Sequence, residues 1–167
     1  MQKQLHISFI CSGNICRSPY AEALLRDRAD EEGWGDQIRV TSAGTLGIQG
    51  CPAHATTIAC GGKKGLNLVP HRSQCVTEEY LASCDIILGV DRSHVLELRH
   101  AFPAHAARVF LYRSYPEPHL DGGEIGDPIG TDEENFRGVF KEIEEGLPSL
   151  LTELRRLLGV EPGIAGR

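Results

Sequence analysis

One stretch near the start of the chain constrains its fold more than any other: Cys11-Ser12-Gly13-Asn14-Ile15-Cys16-Arg17-Ser18-Pro19. It follows an apolar run, Ile7-Ser8-Phe9-Ile10, and precedes a segment rich in alanine and leucine, so it reads as a strand-to-helix turn. Open parallel sheets place ligands at such turns. A thiol opens the loop, Gly13 lets the backbone turn tightly, and five residues separate Cys11 from Arg17. Backbone N–H groups along Ser12, Gly13, Asn14, Ile15, Cys16, Arg17 and Ser18 can converge on one tetrahedral anion, helped by the positive end of the following helix. Arg17 adds a planar fork for two phosphate oxygens. The same field favours a thiolate at Cys11. Ser18 can donate to that sulfur, and Pro19 suits a first helical turn, where no N–H is needed. A lone cysteine would read as a small buried hydrophobe. In this company it reads as a nucleophile on the floor of a phosphoryl cradle.

At these residues the chain resembles the low-molecular-weight protein tyrosine phosphatases, whose signature C-x-G-N-x-C-R-S-P is matched from Cys11 to Pro19. The resemblance implies an α/β fold of three layers, with a four-stranded parallel sheet between helices and the phosphate-binding loop after the first strand. It also implies phosphomonoester hydrolysis through a phosphocysteine, with no cofactor and no metal. Phosphorylated proteins would be the substrates. The sequence does not fix the oligomeric state, and a monomer is favoured.

Composition agrees with this reading. At 167 residues the chain fits one domain, with a tail from about residue 160. A net charge of −6 argues against a nucleic-acid-binding surface, and no apolar run approaches membrane-spanning length. The chain opens without a signal-like segment, which points to the cytoplasm. Its six cysteines are then expected as thiols rather than as a disulfide framework. Cys51, His54 and Cys60 match no common zinc spacing.

Downstream, a helix is expected over Tyr20–Ala29 and a strand over Gln37–Thr41, followed by Ser42-Ala43-Gly44-Thr45. The resemblance makes Ser42 a support of the phosphate loop, and gives His71 a hydrogen bond to Asn14. Pro52 could open a helix toward Cys60. Thr77 has the look of a helix start. Asp85–Val90 reads as a buried strand, with Asp91 at its end either bracing Arg17 or capping the helix from Arg92 to about His100. In many relatives an asparagine stands where this chain has His94. A fourth strand, Arg108–Leu111, leads to a loop from Tyr115 to Gly130 rich in Pro, Gly and acids. The final helix opens at Thr131, carries an apolar stripe from Phe136 to Leu158, and should kink or split at Pro148.

Cleaving a phosphate ester with a thiolate requires a proton for the leaving oxygen. A carboxyl group above the cradle can give it, and then activate the water that cleaves the phosphocysteine. Asp127-Pro128 matches the family's aspartate-proline pair, which makes Asp127 the expected acid and then base, with Cys11 and Arg17 completing the catalytic set. Specificity is expected to rest on Ile15, Ile48 and Ile129. Ile48 and Ile129 stand where many relatives carry aromatic walls. A related branch, the protein arginine phosphatases, has a similarly sparse segment after the pair but typically threonine at the position of Ile15, so isoleucine favours an aryl phosphate. Two weaker alternatives are a thiol-dependent arsenate reductase and a phosphate-binding module without turnover. Cys16 either packs beneath the loop or pairs reversibly with Cys11 on oxidation.

Overall fold

The computed structural model describes residues 2–162; the expected tail lies outside the described residues from position 163 onward. Four parallel strands, β1 (Leu5–Cys11), β2 (Ile38–Gly44), β3 (Ile86–Gly89) and β4 (Val109–Leu111), form a sheet in the order β2-β1-β3-β4. The chain passes to one side of β1 for β2 and to the other for β3. The crevice at the carboxyl end of β1 is therefore the switch point of the sheet, where such folds hold ligands, and Cys11 is the last residue of that strand.

Alternation along the strands assigns the two faces. Ile7, Phe9, Ile38, Val40, Ile86 and Leu88 point toward α1 (Arg17–Glu31) and α5 (Glu133–Leu158), whose Leu25, Phe136, Phe140, Ile143 and Leu154 complete one apolar core. Ile10, Ala43, Ile87, Val109 and Leu111 face the other way, against Leu81 of α3 (Glu78–Ser83) and Val95 and Leu98 of α4 (Arg92–Ala101). Helices on both faces make the expected three layers.

Several boundaries differ from the sequence expectation, each for a local reason. Strand β2 continues through Ser42, Ala43 and Gly44, because those residues keep pairing with Phe9, Ile10 and Cys11 of β1. Helix α2 (Ala55–Lys63) starts after His54 rather than at Pro52, since the His54 ring accepts the Thr56 N–H at 3.1 Å and caps it there. Asp132, not Thr131, caps α5, accepting from Asn135 N at 2.9 Å. That helix runs on through Pro148 instead of splitting. Its buried stripe, Phe136 to Leu154, is continuous on both sides of the proline, and a broken helix would uncover one end of it.

Candidate active site

Helices α2, α3, α4 and α5 each begin with a side chain that accepts one of their first N–H groups: His54, Thr77, Asp91 and Asp132. Helix α1 has no side-chain cap and no acid in its first turn. Its free N–H donors, together with those of the preceding loop, are left for an anion.

The loop from Cys11 to Arg17 carries one non-glycine residue in the left-handed region, Asn14 at φ 57°. The tight turn is thus made at Asn14 rather than at Gly13, and asparagine tolerates that conformation better than most residues. Asn14 is fully buried and held on every side. Its Nδ2 donates to Ser18 Oγ and to Ser42 Oγ, both at 2.9 Å. Its Oδ1 accepts from Gln74 N at 2.9 Å, and its carbonyl oxygen accepts from His71 Nε2 at 2.6 Å. Ser42 and His71 therefore both meet Asn14, Ser42 at the side chain and His71 at the main chain. Ser42 Oγ in turn donates to Glu22 Oε2 at 2.6 Å, and Glu22 lies 3.8 Å from His71 Nδ1. Contacts of this number fix a strained turn that a short loop could not hold alone.

The sulfur of Cys11 is buried and 2.8 Å from Ser18 Oγ. Because Ser18 Oγ already accepts from Asn14 Nδ2, its hydrogen is the one free to point at the sulfur. Arg17 is 3 % exposed. One end of its fork donates to the Ile125 carbonyl at 2.8 Å, and the other reaches Ser12 Oγ at 3.4 Å. Ile125, not Asp91, braces the guanidinium from outside the loop; Asp91 caps α4 through Ser93 N at 3.1 Å.

Asp127 arrives from the other end of the chain. Its Oδ1 accepts from Ile129 N at 3.0 Å, the turn that an Asp-Pro pair favours. Its Oδ2 faces the cradle 3.8 Å from Arg17 Nη2, on a side chain that is 48 % exposed. One oxygen is thus anchored and the other is open to a ligand. Ile15 and Ile48 lie together over the loop, since a β-carbon on Gly13 would stand 3.6 Å from both Ile15 Cγ1 and Ile48 Cδ1. Ile129 is exposed beside Asp127.

Cys16 is buried beneath the loop, and burial pushes its thiol up to about 11. Among the described residues no three His, Cys, Asp or Glu side chains gather as a metal site would need. Cys51 is exposed, while the His54 ring stacks on Phe136 at 5.0 Å. No helix among the described residues is long and apolar enough to cross a membrane.

Residues 6–158 match the model of the family described as low molecular weight phosphotyrosine protein phosphatase. The chain belongs to that family. The low molecular weight phosphatases are hydrolases of phosphoric monoesters, and this member is similar to several named ones. Low molecular weight protein-tyrosine phosphatase A of Mycobacterium tuberculosis is 38 % identical, over 90 % of this chain and 91 % of the relative. The protein-arginine-phosphatase of Bacillus subtilis is 30 % identical, over 91 % of this chain and 98 % of the relative. The crystal structure of the low molecular weight protein tyrosine phosphatase from T. tengcongensis superposes with a TM-score of 0.82 at 26 % identity, covering 90 % of this chain and 99 % of that one.

Four residues of this low molecular weight phosphatase site were given no role by the sequence: Glu22, Gly44, Gln74 and His94. Glu22 stands four residues beyond Ser18 on α1, a spacing that puts both on one helix face and could have flagged it. Gly44 and Gln74 carry no local signal, and His94 is marked only by standing where many relatives have an asparagine.

Proposed function

We propose that the protein hydrolyses phosphotyrosine in protein substrates through a phosphocysteine formed on Cys11. The observation that carries this reading is the convergence of Arg17 and Asp127, 3.8 Å apart, at the loop that holds the Cys11 sulfur. A phosphoryl group bound by the N–H donors of residues 12–18 and the Arg17 fork presents its phosphorus to that sulfur. The S–P bond forms as the P–O bond to the tyrosine breaks, and Asp127 gives its proton to the departing phenol oxygen. The Asp127 carboxylate then takes a proton from water as that water attacks phosphorus, releasing phosphate and Cys11. Atoms and charge balance without a metal or a cofactor. Ser18 steadies the sulfur as it leaves. The mechanism requires a reduced Cys11, which suits a cytoplasmic setting.

Cys11→Ser tests the mechanism. Turnover of p-nitrophenyl phosphate should vanish while vanadate still binds, and an active serine variant would overturn it. The arginine phosphatase relative makes phosphoarginine the competing substrate. Isoleucine at position 15 presents a branched apolar face and no hydroxyl, which favours a phenol ring over a guanidinium. Wild type is therefore expected to prefer phosphotyrosine peptides, with Ile15→Thr shifting turnover toward phosphoarginine. A wild-type preference for phosphoarginine would reverse the assignment.

A further inference from the structure

Ser12 is tied to a histidine that the mechanism above does not use. His94, on α4, is 2 % exposed, and its Nε2 lies 2.9 Å from Ser12 Oγ. The same oxygen is 3.4 Å from Arg17 Nη2, and a guanidinium can only donate. The other ring nitrogen, His94 Nδ1, is buried without a hydrogen-bond partner.

The unpartnered nitrogen decides where the ring carries its proton. A proton on Nδ1 would leave a buried N–H donor with nothing to bond, an arrangement that folded proteins avoid more strictly than an unused acceptor lone pair. A proton on Nε2 leaves only a lone pair at Nδ1 and lets the ring donate to Ser12. Ser12 Oγ then accepts twice, from His94 and from Arg17, and its own hydrogen is left for a third oxygen. The nearest designed source of one is the phosphoryl group that Arg17 binds.

We propose that His94 is a positioning residue: as the neutral Nε2–H tautomer it locks the Ser12 hydroxyl into donating toward the bound phosphoryl group and steadies the outer end of the Arg17 fork. The proposal rests on the cradle being the phosphoryl site. Burial, and then the neighbouring guanidinium, push the His94 ring down to about 4, which keeps it neutral across the working range of such an enzyme. The ring belongs to α4 and Arg17 to α1, so this one bond couples the two sides of the sheet at the site.

Nitrogen NMR of the histidine rings in the wild-type protein tests the tautomer directly. A protonated Nε2 with a bare Nδ1 on His94 is expected, and a proton on Nδ1 would overturn the proposal whatever the activity. Variants test the consequence. His94→Leu should weaken inhibition by inorganic phosphate and lower kcat/KM on p-nitrophenyl phosphate by roughly fivefold, the worth of one hydrogen bond. His94→Gln, whose side-chain nitrogen reaches about the same point as Nε2, should restore both to within about twofold. In a Ser12→Ala background, His94→Leu should add no further loss. A leucine loss of equal size with and without the Ser12 hydroxyl, or a glutamine variant as poor as leucine, would show packing alone. A wild type that neither binds phosphate nor turns over p-nitrophenyl phosphate would overturn the reading of the cradle itself, a result distinct from either.

Discussion

The carbonyl oxygen of Ser12 lies 2.6 Å from the point that a β-carbon on Gly44 would occupy. Asn14 N and Asn14 Cβ crowd the same point at 3.0 and 3.1 Å. The phosphate loop is laid directly on the end of β2, and its backbone position is set by the absence of a side chain there. Gly44→Ala cannot relieve the clash by turning a rotamer, because the neighbours are two backbone atoms and a β-carbon, none of which a rotamer moves. It is expected to destabilise the protein by about 1–3 kcal/mol and to lower kcat/KM by two orders of magnitude or more, as the donors of residues 12–18 lose their common focus. Thermal unfolding alongside kinetics checks this; a variant with wild-type kinetics would mean that the loop is not seated on Gly44.

The loop at Cys11 was legible in the sequence because its chemistry is contiguous: thiol, glycine, asparagine, arginine and hydroxyl occur within nine residues that also mark a strand-helix junction. Asp127 was legible because an acid before proline in a glycine-rich loop is a local pattern. Gly44 was not, since Ser-Ala-Gly is ordinary loop chemistry until Ser12 is known to cross it. Gln74 and His94 act through one backbone N–H and one ring nitrogen, and both meet the loop only after the chain has passed around the sheet. For a related reason, Pro148 does not split α5. Its local cost to a helix is real, but the stripe that α5 buries on each side of it outweighs that cost.

Asp127 offers its free Oδ2 to the cradle while Oδ1 holds Ile129 N. Asp127→Ala should lower kcat/KM for phenyl phosphate by about 10²–10³ and for p-nitrophenyl phosphate by far less, because p-nitrophenolate leaves without a proton. The ratio of the two substrates is the measurement. Equal losses on both would assign Asp127 to binding rather than to proton transfer.

Cys16 lies under the loop with its thiol raised to about 11 by burial, ahead of a weaker opposing hydrogen bond from Thr57. If Cys16 is the resolving thiol, a sulfenic acid formed on Cys11 by peroxide would be attacked by the Cys16 sulfur, expelling water and joining the two residues. The thiolate is the attacking species, and its population on Cys16 rises about tenfold per pH unit below its pKa. Disulfide recovered by mass mapping after a peroxide pulse should therefore increase, relative to Cys11 sulfinic acid, between pH 7 and 9. A yield independent of pH, or none at all, would count against Cys16 as the resolving thiol.

The buried His94 ring is expected to make folding sensitive to acid. Arg17, Asp91 and Asp127 are the charged groups that act on it: the arginine lowers its affinity for a proton and the two carboxylates raise it, with burial the largest effect and the net result a ring at about 4. In the unfolded chain the same ring titrates near its ordinary 6.5. The folded state therefore binds the proton more weakly, so the stability that His94 contributes is complete above about pH 6.5 and is lost as the pH falls toward 4. The shift corresponds to roughly 3 kcal/mol over that window. His6, buried on the α3 side of the sheet, is lowered as well and adds to the same trend. Urea unfolding at pH 7.5, 6, 5 and 4.5 should show wild type losing stability faster than His94→Gln as the pH falls. Parallel curves would mean that His94 takes up its proton as readily folded as unfolded, and that the ring beside Arg17 is not held neutral.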